Sequence, residues 1–492
     1  MQPFWLIILG ILTYFIVRRS LAGVNWPPVW LLWLVLMMPV FIWSLWTAKH
    51  GYKPPLIVVI STLAVSCIIY WLLFRWGQHK SKNKDPNILD KPEVQSIINP
   101  ALRSLPLSSS LQEDEERKLR SCFSFSVYFL QNIEYLPQAI VCQGQLKTNS
   151  SKAYQHIKHN IDSQFNDRFI LIFQEGFNGK PLFILIPNSK VNKKSNASKE
   201  QLTRPGLALV LLGTTFITTT GIGAKIAGLE METLTANPQE LLQGLPYALG
   251  LMSILGIHEL GHYFAARLYK MRTTLPYFIP IPVFLGTLGA FIQMRSLIPN
   301  RKALFDISIA GPIAGFILTL PLLLWGLAHS QVVPLPEEPK GFLDPNALNP
   351  KYSFLLAIAA KLVLGNKLTA QSAIDLHPLG IAACLGLIVT ALNLIPMGQL
   401  DGGHIVHAMF GQKSAMFISQ VSRLLCLLLS LVQPGVFLWA IILFFMPLID
   451  EPALNDVTEL DNKRDTLGLV MIALLISILL PIPKAIANFL QI

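Results

Sequence analysis

Charged residues are scarce in this chain of 492 residues: they make up 14% of it, whereas hydrophobic residues make up 52%. A soluble globular domain carries about 25% charged residues, so this composition is typical of a membrane protein. A helix needs about 20 consecutive apolar residues to cross a hydrocarbon core of about 30 Å. Runs of this kind begin near Pro3, Pro28, Pro55, Gly206, Leu245, Leu304, Leu379, Met416, Gly435 and Leu467. We therefore expect an all-α polytopic membrane protein with about 9–10 transmembrane helices.

Paired cysteines and a concentrated basic surface are also lacking. The five cysteines are scattered without a Cys-x-x-Cys pair, which argues against a disulfide framework and against a cysteine zinc site. The net charge is +11, but the Lys and Arg residues are dispersed over the loops, as they are when they set the topology of a membrane protein. We therefore expect a lipid bilayer as the surroundings and no nucleic-acid partner. The sequence does not indicate an oligomeric state.

The basic residues predict an orientation in the membrane. The first apolar run has no Lys or Arg before it and is followed by Arg18 and Arg19, which favours an uncleaved anchor with these arginines on the cytoplasmic side. Basic residues also lie in 267–272, at the end of one apolar helix, and in 295–302, before the next. They predict that both ends of the loop between these two helices are on the cytoplasmic side as well. The loops expected on the opposite side, 230–240 and 337–344, are rich in acidic residues.

A polar stretch from residue 77 to residue 204 interrupts the apolar runs and predicts a small soluble α+β insert on the cytoplasmic or stromal side. Its opening part, Lys80 to Glu116, is expected to be a linker followed by an acidic patch, Glu113 to Glu116. Apolar alternation predicts strands at 124–129, 169–173 and 181–186, and helical spacing predicts a helix at 151–165. The chain then has four segments: three N-terminal membrane helices (1–76), the insert (77–204), a membrane core (205–411) and C-terminal membrane helices (412–492).

The sequence His258-Glu259-Leu260-Gly261-His262 lies within the apolar run from about Leu245 to Tyr269. Residues four apart project from one face of an α-helix, so both imidazoles can bind one tetrahedral metal ion. Glu259 lies about 100° around the helix, close enough to act as a general base. Ionisable residues in a transmembrane helix indicate function because burying them in lipid is costly. The alternative is that neighbouring helices satisfy two structural histidines.

A catalytic zinc ion typically has three protein ligands and one open position, so a third ligand must come from another part of the chain. Asp401 is the best candidate, because it follows an apolar helix that Pro396 and Gly398 would break. Unwound backbone at membrane depth is tolerated where protein or a water-filled cavity satisfies it. The alternative is that Asp401 caps the next helix. His404 and His407 are rival ligands at helical spacing, although packing beside the site suits them better.

Two motifs together resemble the site-2 protease family of intramembrane metalloproteases: His258 to His262, and the later series Asn393, Pro396 and Leu400-Asp401-Gly402. Three further stretches resemble the plastid and cyanobacterial branch of that family: 276–282, 286–291 and 310–315. The soluble insert ahead of the zinc helix resembles that branch as well. The nearest match to the Gly-Asn-Leu-Arg signature of that branch is Gly144-Gln145-Leu146-Lys147.

The resemblance implies a zinc metalloendopeptidase that cleaves transmembrane segments of other membrane proteins, with one zinc ion per chain held by His258, His262 and Asp401. It also implies that a zinc-activated water attacks the scissile carbonyl, with Glu259 as general base and then general acid. Asn393 is expected to donate a hydrogen bond to the oxyanion or to substrate backbone, the alternative being an amide that packs between helices. The membrane is expected to be a cyanobacterial plasma or thylakoid membrane, or a plastid membrane.

The expected substrates are membrane proteins with helix-destabilising residues, Gly, Pro or Asn, near the cleaved bond. An intact transmembrane helix hides its carbonyls in hydrogen bonds, so the substrate must unwind before attack. The stretch from Pro276 to Phe291 contains three prolines and two glycines, Gly286 and Gly289. It predicts an irregular hairpin or re-entrant element whose strand edge holds the unwound peptide. The alternative is an ordinary turn between helices.

Two other functions compete with proteolysis. Intramembrane His and Asp residues also line the ion paths of zinc transporters, but transporters commonly contain two repeated halves, and the sequence has no internal repeat. A homologue that binds substrates without cleaving them is the second alternative. Glu259 argues against it, because a purely structural metal ion does not require a base.

Overall fold

The computed structural model describes residues 10, 14, 29–51, 55, 58, 61, 62, 65, 66, 69, 113–136, 139–176, 179–188, 204–229, 238–283, 285–335, 348–432, 439, 440, 442, 443, 446, 447, 450 and 452–490. The helices expected near Pro3 and Gly435, most of the helix near Pro55, nearly all of the acid-rich loops and the first part of the insert lie outside these residues. The chain divides into two compact units. One joins the N-terminal residues to 441–447, and the other contains the rest of the chain.

The N-terminal unit contains helix α1 (Val29–His50). Helix α1 is hydrogen-bonded to helical residues that follow it in sequence. The Trp43 Nε1 donates to the Thr62 Oγ1 at 2.9 Å, and the Ser66 Oγ donates to the Val35 carbonyl at 2.6 Å. These bonds join two apolar helical segments without leaving the polar groups unpaired.

The described part of the insert is a four-stranded antiparallel sheet with two helices. Its elements, in chain order, are α2 (Glu113–Cys122), β1 (Tyr128–Leu136), β2 (Ala139–Leu146), α3 (Ser150–Phe165), β3 (Phe169–Glu175) and β4 (Pro181–Pro187). The strands lie in the order β1-β2-β4-β3. The buried face of α3, which includes Ile157 and Ile161, packs with the strands in one hydrophobic core.

The structure adds three details to the predicted insert. The acidic patch that follows the expected linker is the first turn of α2, where carboxylates interact favourably with the positive end of the helix dipole. The first strand begins at Tyr128, because residues 124–127 form a turn. Strand β2 was not predicted: its first four residues are all buried, so it lacks the alternation that identifies a half-exposed strand.

The rest of the chain is mainly helical. Its helices are α4 (Pro205–Ile226), α5 (Leu245–Leu268), α6 (Arg301–Ala328), α7 (Phe354–Leu364), α8 (Pro378–Leu394), α9 (Asp401–Val432), α10 (Asn462–Leu479) and α11 (Lys484–Leu490). Among the described residues, α4, α5, α6 and α9 are long and apolar enough to cross a membrane, and the bent pair α10 and α11 would make a fifth span. Helix α8 is apolar but has 17 residues. The apolar run expected from Met416 is the second half of α9. The first turns of α9 contain polar residues, so the sequence did not predict them as part of this helix.

A short hairpin and a second two-stranded sheet lie between these helices. Strand β5 (Tyr277–Pro280) pairs with β6 (Thr287–Phe291) in the stretch that was expected to be irregular, and β7 (Gln331–Pro334) pairs with β8 (Ser372–Asp375). Phe278 of β5 belongs to the same buried hydrophobic cluster as Leu251 and Leu255 of α5. The first hairpin therefore lies against the helix that carries the two histidines.

Candidate metal centre

His258, His262 and Asp401 come together between α5 and the start of α9. The two Nε2 atoms lie 3.2 Å apart, and the Asp401 Oδ2 lies 3.4 Å from the His258 Nε2 and 3.2 Å from the His262 Nε2. Both histidines are buried, with 4% and 6% of their surface exposed. Among the described residues, this is the one group of three such side chains that offers its ligand atoms to a single metal ion.

The size of this triangle fits a tetrahedral zinc ion. Ligand atoms at about 2.0–2.1 Å from such an ion lie about 3.3 Å from one another. The three separations here, from 3.2 to 3.4 Å, match that spacing. Two imidazole nitrogens and one carboxylate oxygen are also a donor set of the kind found in catalytic zinc sites, where three protein ligands leave a fourth position open. The residues present therefore fit zinc.

The hydrogen bond of His262 fixes which of its nitrogens can bind a metal ion. Its Nδ1 lies 2.8 Å from the Ile307 carbonyl oxygen on α6. Because a carbonyl oxygen only accepts, the Nδ1 carries the proton and the Nε2 keeps its lone pair. That lone pair faces His258 and Asp401, as a metal ligand requires.

Glycines on α6 give the two imidazoles their space. A Cβ atom on Gly311 would overlap the His262 ring, and one on Gly315 would lie 3.3 Å from the His258 Cβ and Nδ1. On the other helix, a Cβ atom on Gly261 would lie 2.5 Å from the Ala310 carbonyl oxygen. Helices α5 and α6 therefore approach closely at the histidines because both carry glycine there.

A tight turn brings Asp401 to the histidines. Helix α8 ends at Leu394, two residues before Pro396, and Gly398 has a φ of 47°, which a glycine adopts without strain. The Met397 N–H donates to the Ile395 carbonyl at 2.7 Å. Asp401 is the first residue of α9, and its carboxylate contacts both imidazoles from that position.

Glu259 and Asn393 lie beside the three ligand residues. Glu259 is half-buried on α5, and its carboxylate faces the backbone N–H of Ile292, the residue that follows β6. The Asn393 Nδ2 lies 3.3 Å from the His258 Nε2. One carboxylate and one amide donor are thus within the cluster without being part of the triangle.

Gly286 and Gly289 have different surroundings. Both have positive φ, 83° and 109°, which favours glycine. A Cβ atom on Gly286 would lie 2.5 Å from the Thr219 Cα on α4, and the Thr218 Oγ1 donates to the Gly286 carbonyl at 2.7 Å. No described atom lies within 4 Å of a Cβ built on Gly289. Gly286 thus holds the hairpin on α4, whereas Gly289 leaves β6 open.

The rival histidines contact aspartates other than Asp401. The His404 Nδ1 lies 2.7 Å from the Asp450 Oδ2. The His407 Nδ1 lies 2.8 Å from the same oxygen, and its Nε2 lies 3.0 Å from the Asp456 Oδ2. Neither aspartate was predicted from the sequence. The sequence feature that could have indicated them is that Asp450 and Asp456 are carboxylates at the end of an apolar segment.

Comparisons with known proteins agree with this geometry. Residues 246–431 match Peptidase family M50, and residues 117–194 match the EGY3 middle domain. Residues 246–431 are therefore a Peptidase family M50 domain, that of the site-2 proteases, as the resemblance predicted. This match contains all three members of the triangle as well as Glu259 and Asn393.

Similar proteins come from plant chloroplasts. The chain is 30% identical over 369 residues to "Probable zinc metalloprotease EGY2, chloroplastic" of Arabidopsis thaliana, covering 74% of this chain and 64% of that protein. It is 34% identical over 239 residues to "Probable zinc metalloprotease EGY1, chloroplastic" of the same plant, covering 48% of this chain and 43% of the relative. The chain thus spans just under two thirds of the length of the EGY2 protein and is homologous to the plastid branch.

Proposed function

We propose that this chain is an intramembrane zinc metalloprotease, a polytopic membrane protein that cleaves transmembrane segments of other membrane proteins. The observation that carries the proposal is the triangle of His258, His262 and Asp401, whose sides of 3.2 to 3.4 Å suit one zinc ion. The names of the chloroplastic relatives, probable zinc metalloproteases, support the same activity.

Residues of the chain have separate roles in the proposed reaction. Zinc, when bound, polarises the scissile carbonyl and lowers the pKa of a water molecule. Glu259 is placed to take a proton from the attacking water and to return it to the leaving amine. Its position on α5, next to His258 in sequence, puts a base beside the ligands. Asn393 is placed to donate a hydrogen bond to the developing oxyanion, because its amide nitrogen lies 3.3 Å from the His258 Nε2.

The hairpin of β5 and β6 is the proposed site for an unwound substrate. Among the described strands, β6 has β5 as its one sheet neighbour, so its other edge is available to a peptide in extended conformation. The Ile292 N–H at the end of this strand faces Glu259. A peptide added along β6 would therefore run past the proposed base. Gly286 and Gly289 supply the positive φ angles of this hairpin, and the missing side chain at Gly289 leaves space beside β6.

The proposed location is a plastid membrane or a cyanobacterial plasma or thylakoid membrane. Four described helices are long and apolar enough to span a bilayer, and both histidines lie within one of them. The two Arabidopsis relatives are named chloroplastic, which favours the plastid.

The test uses the purified full chain in proteoliposomes with a model transmembrane substrate that has a Gly-Pro pair near its centre. We expect Glu259→Gln to retain zinc but to lose about 10²–10⁴-fold in turnover, the range of general acid–base catalysis. We expect Asp401→Ala to lose both zinc and turnover. Glu175→Gln, at an exposed position on β3, is the matched control and should change neither.

One result would count against the proposed mechanism and another against proteolysis itself. Wild-type cleavage by a folded Glu259→Gln variant would contradict the role of this carboxylate. A zinc flux into the vesicles that survives Glu259→Gln would favour a transporter instead. Replacing the Gly-Pro pair of the substrate by Leu-Leu should reduce cleavage, because an intact helix hides its carbonyl groups.

A further inference from the structure

A short segment between α9 and α10 connects three parts of the chain. We define it as the connecting segment, residues 452–458 together with Asp450. It extends the sheet of the soluble insert: the Phe173 N–H donates to the Leu454 carbonyl at 2.7 Å, and the Asp456 N–H donates to the Phe173 carbonyl at 2.8 Å. Leu454 and Val457 also pack against the hydrophobic core of the insert. The connecting segment is thus attached to β3, at the edge of the insert's sheet, by an isolated parallel β-bridge between Phe173 and Asn455.

The same residues contact the start of α6. The Leu454 N–H donates to the Ile298 carbonyl at 2.8 Å, and the Asn455 N–H donates to the Pro299 carbonyl at 3.1 Å. Because Leu454 also accepts from Phe173, its peptide groups join the sheet of the insert to the loop that begins α6. The insert is therefore attached to the membrane core by backbone hydrogen bonds of the connecting segment.

The side chains of the connecting segment hold α9. His407, fully buried on α9, lies between Asp450 and Asp456, with a ring nitrogen 2.8 Å from one carboxylate and 3.0 Å from the other. Carboxylates accept hydrogen bonds, and an imidazolium donates from both nitrogens, so the ring can bind both at once. His407 lies six residues, or about 9 Å, along the helix from Asp401.

The part of α9 that carries Asp401 is a separate short helix. Gly411 has φ 79° and ψ 165°, which breaks the helix after Phe410. The Arg301 guanidinium donates to the Ala408 carbonyl at 2.7 Å and to the Met409 carbonyl at 2.8 Å, and so satisfies carbonyls at this end. Beyond the break, the Lys413 Nζ donates to the Gly176 carbonyl of the insert at 2.6 Å. The position of residues 401–410 thus depends on side-chain contacts instead of on a continuous helix.

We propose that His407 is a positioning residue through which the soluble insert fixes the helix that carries Asp401. Docking of the insert places Asp450 and Asp456 on His407, and this holds Asp401 against the two histidines. Displacing the insert from the membrane core releases the short helix and opens the triangle. The part of this proposal that concerns zinc rests on the proposed function; the part that concerns the short helix does not.

The first experiment measures amide hydrogen exchange of residues 402–409 in the zinc-free, full-length protein in detergent. The double variant Leu454→Asp, Val457→Asp removes the apolar contact of the connecting segment with the insert. We expect exchange in 402–409 to become about tenfold faster, the factor that one lost net hydrogen bond gives in an opening equilibrium. Phe125→Asp, which replaces one apolar residue by Asp at an exposed position of the insert, is the control and should leave 402–409 protected.

The second experiment replaces His407. We expect His407→Leu to accelerate exchange in 402–409 and to lower zinc affinity by about 10–100-fold, as the loss of groups that orient metal ligands does. His407→Gln retains N–H donors and should recover part of both. If His407→Leu does not fold, the double variant in the connecting segment still decides the question, because it leaves the membrane helices unchanged.

The outcomes separate the two proposals. Unchanged exchange in 402–409 in the double variant and in His407→Leu would overturn the positioning role, whatever the protein binds. Wild-type protein that binds no zinc, with faster exchange in these variants, would overturn the proposed function and support the link between the insert and the short helix. Lowered zinc affinity together with faster exchange supports both.

Discussion

Gly311 lies so close to His262 that a Cβ atom built on the glycine would overlap the imidazole ring. The ring is also held from its other nitrogen, because the Nδ1 donates to the Ile307 carbonyl at 2.8 Å. Both constraints come from α6, where Ile307 and Gly311 lie one helical turn apart. The orientation of this proposed ligand is therefore determined by a neighbouring helix that supplies no ligand itself.

Replacing Gly311 by Ala should displace the His262 ring and lower zinc affinity by about 10–100-fold, the range seen when groups that orient metal ligands are altered. Alanine is the better helix former by about 1 kcal/mol, so the helix itself should not be weakened. The measurement is competitive zinc titration of the purified protein. Gly315→Ala should have a smaller effect, because its Cβ would lie 3.3 Å from His258.

The control for these variants is Gly213→Ala on α4, where a new Cβ meets no described atom within 4 Å. It should bind zinc like the wild-type protein. Equal zinc affinity for Gly311→Ala and Gly213→Ala would show that the close contact on α6 does not orient His262.

Asn393→Ala should reduce turnover by about 10²–10³-fold while zinc stays bound, because removing one oxyanion donor has an effect of that size. The reason is its location: the amide is next to the ligands, 3.3 Å from the His258 Nε2, but outside the triangle. Parallel measurements of the zinc-to-protein ratio and of kcat distinguish this role from ligand support. Loss of zinc together with activity would instead assign Asn393 to holding His258.

The sequence predicts this site better than it predicts the groups around it. His258 and His262 are four residues apart on one helix, so their common face follows from helical geometry alone. Asp401 needed a different argument, because its approach depends on the turn after α8 and on close packing of helices. Ile307 and Gly311 act through a backbone carbonyl and through the absence of a side chain, and no periodicity reveals either of these contributions.

The insert shows the same limit. Helix α3 was predicted almost to its ends because one of its faces is buried and the other exposed. Strand β2 was missed because its first four residues are all buried. The edge contact of β3 with Leu454 and Asp456 joins residues far apart in sequence, so no local pattern predicts it.

Cys142 provides a pH-dependent test of the soluble insert. Burial raises the pKa of this thiol to about 12. At pH 8.5 about one thiol in 3,000 would then be the reactive thiolate in the folded protein, whereas an unfolded cysteine, with a pKa of about 8.5, would be half ionised. In a variant that retains Cys142 as its single cysteine, we expect negligible labelling by iodoacetamide at pH 8.5 and rapid labelling in denaturant. Rapid labelling of the folded protein would contradict the packing of β2.

Zinc should raise the melting temperature of the full chain, because a ligand that binds the folded state stabilises it. At a free zinc concentration 100 times the Kd, the expected stabilisation is about 2.7 kcal/mol. Thermal unfolding in detergent, with and without a chelator, measures the shift. Asp401→Ala should lose most of it, since two imidazoles remain of the three ligands. Asp375→Ala, at an exposed position on β8, removes a carboxylate outside the triangle and should keep the full shift. An equal shift in both variants would mean that zinc stabilises the protein at a place other than the triangle of His258, His262 and Asp401.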